Sequence, residues 1–255
     1  MKCHLIIIAS FFSFLFAEQS PFQKGLKSFQ GRAEGANGLD VKSEPINYAI
    51  EEFKKAYKNS DKELEAGIYL MRSYYYKGKY AIKDDEGKKV VFSDGKALGE
   101  KLIKKYPKSP AAHYWFLVNL GSWSEVYGVI AAAKEGVANI MRDHAKIIIE
   151  LDPKYSNGGG YFMLGAIHFK SPYIPFILSW PNNNKAIEYL QKAFEIGTST
   201  PTQTVYLARA MYKNGQKDKA KSLLNGLLQK PLSESETVED LVQHQLAREL
   251  LGEWK

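Results

Sequence analysis

Histidines, serines and a run of glycines are the residues of this 255-residue chain whose types could support catalysis or bind an ion. No serine lies in the Gly-x-Ser-x-Gly pattern of a nucleophile elbow. No nucleophile and base can be named together, so we expect no catalytic residue, no metal site, no cofactor and no enzymatic activity. Two helical histidines share a metal ion when they stand four residues apart, a spacing not found among His113, His144, His168 and His244.

A glycine run at residues 157–160 (NGGG) precedes a predicted helix and resembles a phosphate-binding turn. Free N–H groups at a helix start attract anions, which is the reason for considering it. The run lacks the Lys-Ser/Thr pair of a P-loop and the preceding strand of a dinucleotide site. We therefore interpret it as a flexible connection between two structural repeats.

Aromatic side chains are the remaining candidates for a binding site. Small-molecule sites are mainly apolar with a few placed polar groups, and parts of this chain combine the two types. The alternative is that the same rings only fill the core, because a helical array uses most of its aromatics in packing. The candidate ligand-binding or partner-binding residues are Trp115, Asn119, Tyr161, Tyr173, Phe176 and Trp180.

Half of these candidates lie in an apolar, proline-broken insert, residues 170–182 (KSPYIPFILSWPN). The proline spacing excludes a continuous helix from Pro172 to Pro181. An irregular segment with six large apolar side chains is expected to be covered rather than to stand in water. We expect residues 173–180 to fold back over a helix pair and, with the three other candidates, to form the wall of an apolar channel or a partner-contact surface.

The helices that must position these residues are indicated by a sequence repeat. Ala186, Leu190 and Ala193 lie on one helical stripe, and the same stripe returns 34 residues later at positions 220, 224 and 227. An earlier helix carries it at positions 49, 53 and 56. A period of 34 residues is that of the tetratricopeptide repeat. The pattern predicts an all-α fold, a tetratricopeptide-like superhelix of antiparallel helix pairs with two inserted loops.

The remaining segments complete the predicted organisation. The stretch from Met71 to Ala97 is 26 residues long where the later repeat has 12, so we expect an exposed excursion there, followed by a helix from about Ser93. Residues 1–17 have the layout of a secretory signal peptide. Residues 18–43, rich in Gly, Ser, Gln and Lys, are expected to be a flexible leader. The repeat domain is then predicted to span residues 44–255.

Charge and cysteine content narrow the function classes. The formal net charge is +7, yet the lysines recur beside acids on predicted helices, which indicates solvated faces, and we expect no nucleic-acid partner. Cys3 is the only cysteine and precedes the predicted cleavage point, so no lipidation cysteine follows the signal peptide. These features predict an exported, periplasmic protein.

Several short motifs, taken together, resemble one protein family. They are HYW at 113–115, NLG at 119–121, LDP at 151–153, GGY at 159–161, LG at 164–165 and SWP at 179–181. Over about residues 46–228 the chain is similar to the T component of tripartite ATP-independent periplasmic (TRAP) transporters. Many members carry a lipidation cysteine after the signal peptide, and this chain departs from them in that respect.

This resemblance implies a periplasmic, non-enzymatic binding protein. Such a protein docks the solute-binding subunit of a transporter, assembles as a homotrimer, and holds a small hydrophobic or organic-acid ligand in a pore. A second hypothesis needs only the repeat itself. It is a general tetratricopeptide scaffold for a cell-envelope protein complex, with an extended peptide or helix lying in the concave groove.

Overall fold

A computed structural model describes residues 19–59, 61–174, 176 and 178–254. The predicted signal peptide, residues 1–17, lies outside the described residues. Within them the chain is all-helical, and extended pairing is confined to isolated bridges. None of the described helices has the length and apolar content needed to cross a membrane. The helices are α1 (Pro21–Gln30), α2 (Glu44–Asn59), α3 (Glu63–Tyr76), α4 (Asp85–Lys105), α5 (Pro110–Tyr127), α6 (Val129–Lys134), α7 (Val137–Leu151), α8 (Tyr155–Lys170), α9 (Asn183–Ile196), α10 (Pro201–Lys213), α11 (Lys217–Leu228) and α12 (Thr237–Glu253), with a π-helical turn (Lys77–Ala81) after α3.

These helices stack as a tetratricopeptide-like superhelix, which confirms the fold predicted from the 34-residue period. Along the chain, α2 packs on α3, α4 on α5, α7 on α8, α8 on α9, and α10 on α11. The small residues of the repeated stripe, Ala186, Ala193 and Ala220, are fully buried between the paired helices. Small side chains at these positions let the helices approach closely, and large ones such as Leu190 and Leu224 fill the space between them.

Glycine is required where α8 meets α9. A Cβ atom on Gly165 would lie 2.5 Å from Leu190 Cγ and 3.0 Å from the backbone nitrogen of Leu190. Leu190 is only 1% exposed, so its side chain has no free space into which to move. The contact therefore fixes the distance between the two helix axes.

We expect Gly165→Ala to lower the free energy of unfolding by about 1–3 kcal/mol, because the added methyl group overpacks this contact. The matched control is Gly226→Ala in α11, an exposed helical site with no atom within 4 Å of an added Cβ. The control should raise stability by roughly 0.5–1 kcal/mol, because alanine favours the helix over glycine. Urea unfolding of both variants makes the comparison, and a Gly165→Ala protein as stable as the wild type would contradict the tight contact.

The structure corrects the prediction of a flexible leader at residues 18–43, because most of this segment is ordered. Ser20 caps α1 by accepting a hydrogen bond from the Gln23 backbone N–H, and the Gln23 side chain accepts one from the Ser20 N–H in return. Phe22 and Phe29 are buried against Phe53 of α2. The composition of the segment suggested disorder, but its two phenylalanines share one helical face and add apolar burial that holds the helix on the stack.

The structure also corrects the prediction of an exposed excursion between Met71 and Ala97, because most of this segment is helical. The charged group of residues 84–87 (DDEG) lies at the start of α4. The Asp84 side chain accepts a hydrogen bond from the Gly87 N–H at 2.7 Å, as an N-cap does, and the following acids face the positive end of the helix. Phe92, expected in the excursion, is 2% exposed in the core. The helix therefore starts at Asp85 and not near Ser93.

The glycine run of residues 157–160 is a kink within α8 rather than a flexible connection. Ser156, Asn157 and Gly158 have left-handed backbone angles there, with φ of 50°, 56° and 77°. A Cβ on Gly158 would lie 3.0 Å from the Ala193 Cα, and the Asn157 carbonyl accepts a hydrogen bond from Gln203 Nε2 at 2.8 Å. The kink is therefore held by α9 and α10.

The two ends of the superhelix meet through α12. Val238, near the start of α12, is buried in the same cluster as the α1 phenylalanines, while Trp254 stacks on Tyr212 of α10 at the other end of the helix. Arg32 donates to Glu239 Oε1 from Nε at 2.9 Å and from Nη2 at 2.6 Å, and Nη2 also donates to the Ser235 carbonyl. The helix α12 therefore joins the two ends of the stack and closes it into a ring.

Burial raises the pKa of Glu239, and Arg32 opposes that shift, so the carboxylate depends on its guanidinium partner. We expect Arg32→Met to lower the free energy of unfolding by roughly 3 kcal/mol, since it leaves a largely buried carboxylate unpaired. The double variant Arg32→Met with Glu239→Met should cost less than the single one, because no orphaned charge remains. Thermal and urea unfolding measure the stability of the double variant and of each single variant. A loss of stability in the double variant equal to the sum of the two single losses would contradict the pairing.

Candidate binding cavity on the concave surface

A cavity of about 650 Å³ lies on the concave side of the superhelix. Its walls come from α3, α5, α8 and α10, which form the inner layer, whereas α2, α4, α9 and α11 contribute no lining residue. Residues at the two ends of the stack, near α1 and α12, close one side of the cavity. Residues of α6, α7 and the apolar insert close another side. This volume falls within the range of small-molecule sites.

One part of the wall combines a cation with aromatic rings. Arg72 of α3 projects into the cavity, and its guanidinium carbon lies 5.2 Å from the Trp115 ring centroid. Tyr75 and Trp115 pack with ring centroids 6.2 Å apart, and Tyr114 meets Tyr155 at 5.6 Å. The structure therefore places the predicted site residue Trp115 in the cavity wall, among rings that the sequence alone does not bring together.

The buried tyrosines of this region stay protonated at neutral pH. Burial raises the pKa of Tyr155 and that of Tyr76 to about 12 each. Burial also raises the pKa of Tyr75, Tyr80 and Tyr114 above the ordinary value for tyrosine. Their hydroxyl groups are therefore neutral and do not supply negative charge to the cavity.

A second charged group lies on the inner faces of α5 and α8. Glu125 pairs with Lys79, at 3.6 Å between Oε2 and Nζ, and with Lys170 through its other carboxylate oxygen. Burial raises the pKa of Glu125, but the two lysines outweigh this effect and the pKa is lowered on balance. Two cations on one carboxylate leave this group with a net positive charge.

The apolar insert contributes to the rim of the cavity through part of its length. Ile174 and Leu178 exchange backbone hydrogen bonds at 2.9 and 2.8 Å, and both line the cavity. The turn between them places Phe176 in the left-handed region, with φ of 64°, and leaves its side chain fully exposed. Tyr173 is 64% exposed. The insert thus covers the cavity with its aliphatic residues and presents two aromatic rings to solvent.

Trp180 lies behind this rim. Its Nε1 donates a hydrogen bond to Asn139 Oδ1 at 3.0 Å, and its ring contacts His168 edge-on at 4.9 Å between centroids. Arg142 lies over the same ring at 5.0 Å. These contacts tie the end of the insert to α7 and α8.

Of the six predicted site residues, only Trp115 lines the cavity, and the other five do not. Asn119 is fully buried, and its Nδ2 donates to the carbonyl oxygens of Met71 and Trp115, so it joins α3 to α5. Tyr161 lies beneath Lys192 of α9, whose Nζ is 4.4 Å from the ring centroid. Of the six predicted residues, Trp115 lies in the cavity wall, Tyr173 and Phe176 lie on the exposed insert, and a binding role for each stays a prediction.

Two of the histidines, His113 and His144, contact each other. His113 Nδ1 lies 2.7 Å from His144 Nδ1, and His113 Nε2 lies 2.8 Å from the Pro107 carbonyl oxygen. Burial lowers the pKa of His144. Within the residues that the structure describes, no three His, Cys, Asp or Glu side chains are grouped to hold a metal ion.

Sequence reasoning missed several residues of the cavity, chiefly Arg72, Tyr114 and the Lys79, Glu125, Lys170 group. Arg72 could have been noticed as the one cation on an otherwise apolar stretch of its helix, from Ile68 to Tyr76. The lysines and Glu125 stand far apart in the sequence, and only the superhelix brings them together.

We expect Phe176→Ala to change the free energy of unfolding by less than about 0.5 kcal/mol, because its side chain is fully exposed. Trp180→Ala should lower it by about 1–2 kcal/mol through loss of one hydrogen bond and the ring contacts. Thermal unfolding of the two variants, side by side, provides the measurement. A large loss of stability in Phe176→Ala would show that the tip of the insert is covered in solution.

Comparison with known proteins relates the sequence to one family. A family model described as regulator of microtubule dynamics protein 1-3 matches residues 36–177, which is more than half of the chain. The regulator of microtubule dynamics protein 3 of Mus musculus is 31% identical over 83 residues, or 32% of this chain. The matched segment covers 17% of the mouse protein, so the chain spans about one sixth of that relative's length.

Comparison of structures supports the architecture independently. A thermophilic TPR protein of Thermus thermophilus superposes with a TM-score of 0.61 at 15% identity, over 90% of this chain and 98% of the other. At that level of identity the similarity concerns the fold alone.

Proposed function

The chain belongs to the family described as regulator of microtubule dynamics protein 1-3, and on that premise we propose that it is a non-catalytic scaffold that binds a segment of another protein in its concave cavity. The observation that carries the proposal is the continuous lining of the cavity by the inner helices along the stack. Helical-repeat proteins use such concave surfaces for recognition, since every repeat contributes side chains to one extended wall.

The chemistry of the wall supports a protein segment as occupant. Rings such as Tyr75, Tyr114 and Trp115 supply apolar area at a low cost in side-chain entropy, and the tyrosine hydroxyls supply hydrogen-bond donors. Charged groups of both signs line the same surface, among them Lys79 and Glu236. An occupant with mixed apolar and polar groups suits this lining better than a purely apolar one.

The family description makes the microtubule a specific partner to test. The resemblance to the TRAP T component instead leads to a periplasmic solute-binding protein, a small hydrophobic or organic-acid ligand, and a homotrimer. The scaffold proposal does not depend on which of these partners is the right one, because it rests on the cavity and the fold. The export of the chain to the periplasm rests on residues 1–17 and remains a sequence-based proposal.

The test fills the cavity without touching the rest of the fold. Ala166 lies on the inner face of α8 and lines the cavity, so Ala166→Trp should occlude it. Ala97 is exposed on α4 in the outer layer, so Ala97→Trp is the matched control. Peptides selected from a random library on the wild-type chain should bind Ala166→Trp at least about tenfold more weakly, and the control within about twofold.

Two results would contradict the proposal. One is a selection that enriches no peptide, and the other is an enriched peptide that binds Ala166→Trp as tightly as the wild type. Co-sedimentation with microtubules, using the same three proteins, then tests the specific partner. Sedimentation that Ala166→Trp abolishes and Ala97→Trp preserves would place the microtubule contact in the cavity.

A further inference from the structure

Arg72 is held by aromatic rings at the wall of the cavity. Its guanidinium carbon lies 4.9 Å from the centroid of Phe29, 4.8 Å from that of Tyr69 and 5.2 Å from that of Trp115. Rings packed against a planar guanidinium stabilise its charge and leave its N–H groups for hydrogen bonds. The side chain is therefore fixed in place before any occupant arrives.

The same guanidinium lacks an anionic partner in the part of the chain that the structure describes. Arg32, across the Phe29 ring, donates to Glu239 and to a backbone carbonyl. Arg72 makes no ion pair or hydrogen bond with a described residue, and its Nε is buried without a partner. A guanidinium with five donors is normally satisfied when it is half-buried, so the free donors need an explanation.

The surroundings of Arg72 are suited to an anion. Tyr114 and Tyr155 lie close enough for Arg72 to lower their pKa, but burial raises the pKa by more, so both hydroxyls stay protonated and put no negative charge beside the guanidinium. The charge of Glu236 raises the pKa of Tyr114, but Glu236 is exposed, so solvent and salt screen its charge. No described acid reaches ion-pair distance of Arg72, and the cavity extends directly from it.

We propose that Arg72 is an anion subsite of the cavity, which binds a carboxylate group carried by an amphipathic occupant. The planar fork of the guanidinium matches the two oxygens of a carboxylate, and the surrounding rings receive the apolar part attached to it. This inference deepens the proposed function, since the carboxylate belongs to the occupant of the same cavity. The carboxylate comes either from a peptide, at a side chain or C-terminus, or from a free organic acid.

A pair of fluorescent probes isolates the charge. The first is 8-anilinonaphthalene-1-sulfonate, an aromatic anion, and the second is N-phenyl-1-naphthylamine, which has the same rings without the sulfonate. Arg72→Gln should weaken binding of the anionic probe by about tenfold or more and change binding of the neutral probe by less than about twofold. Arg248→Gln, an exposed arginine on α12, is the control and should alter neither.

The proposal is overturned if Arg72→Gln leaves the affinity for the anionic probe unchanged. It is overturned equally if both probes lose affinity in parallel, because the guanidinium would then serve only to pack the rings. Thermal unfolding of each variant shows whether it is folded. The small probes do not require a protein partner, so a failed peptide selection and a failed anion site give separate results.

A second measurement uses the wild-type chain, in case Arg72→Gln does not fold. 3-Phenylpropanoate should displace the anionic probe at a concentration at least about tenfold lower than its neutral amide does. Equal displacement by acid and amide would overturn the proposal. A peptide with a free C-terminus, compared with its amidated form, then assigns the source: a preference in the peptide pair indicates a protein partner, and one confined to the small acid indicates an organic acid.

Discussion

The contact on which the rest of the structure depends is the one that joins α12 to α1. Arg32 and Glu239 are separated by 207 residues, yet their side chains meet at 2.6 Å and are mostly buried. An open superhelix would expose its inner layer to solvent along one side, and the aromatic residues there would lose their cover. Since α12 packs on both the first and the last hydrophobic clusters, it joins the two ends of the stack and covers one side of the cavity.

Polar contacts also join the elements of the inner layer. Lys79, Glu125 and Lys170 satisfy one another across three elements, and Asn119 joins α3 to α5 through two backbone carbonyls. Asn119 is fully buried, so loss of its partners would leave a costly unsatisfied amide, whereas Lys79, Glu125 and Lys170 are each more than 40% exposed and contribute less. The polar contacts therefore favour one relative placement of the helices, and they give the cavity a fixed shape before binding. A preformed site loses less entropy when it takes up its occupant.

Much of the fold could be predicted from sequence because a repeated stripe of small and large residues is a local signal. The triplet at Ala186 and its echo 34 residues later set the helix pairs, and both are buried as expected. The errors arose where composition and local structure disagree: the leader contains only two phenylalanines, but they occupy one face of α1, and Asp84, within the predicted excursion, caps α4. The site was less predictable. Trp115 was identified, whereas Arg72 was not, because a helical pattern does not reveal which of its faces meets a cavity formed by distant helices.

The boundaries of the family match divide the residues that line the cavity into two groups. Residues 36–177 contain Arg72, Trp115, Glu125 and the first half of the insert, so the aromatic and charged wall belongs to the shared family segment. Arg32 and Glu239, which close the ring, lie outside it. The part of the wall within the family segment therefore depends on contacts among the inner helices, whereas the closure of the ring depends on two side chains from outside that segment.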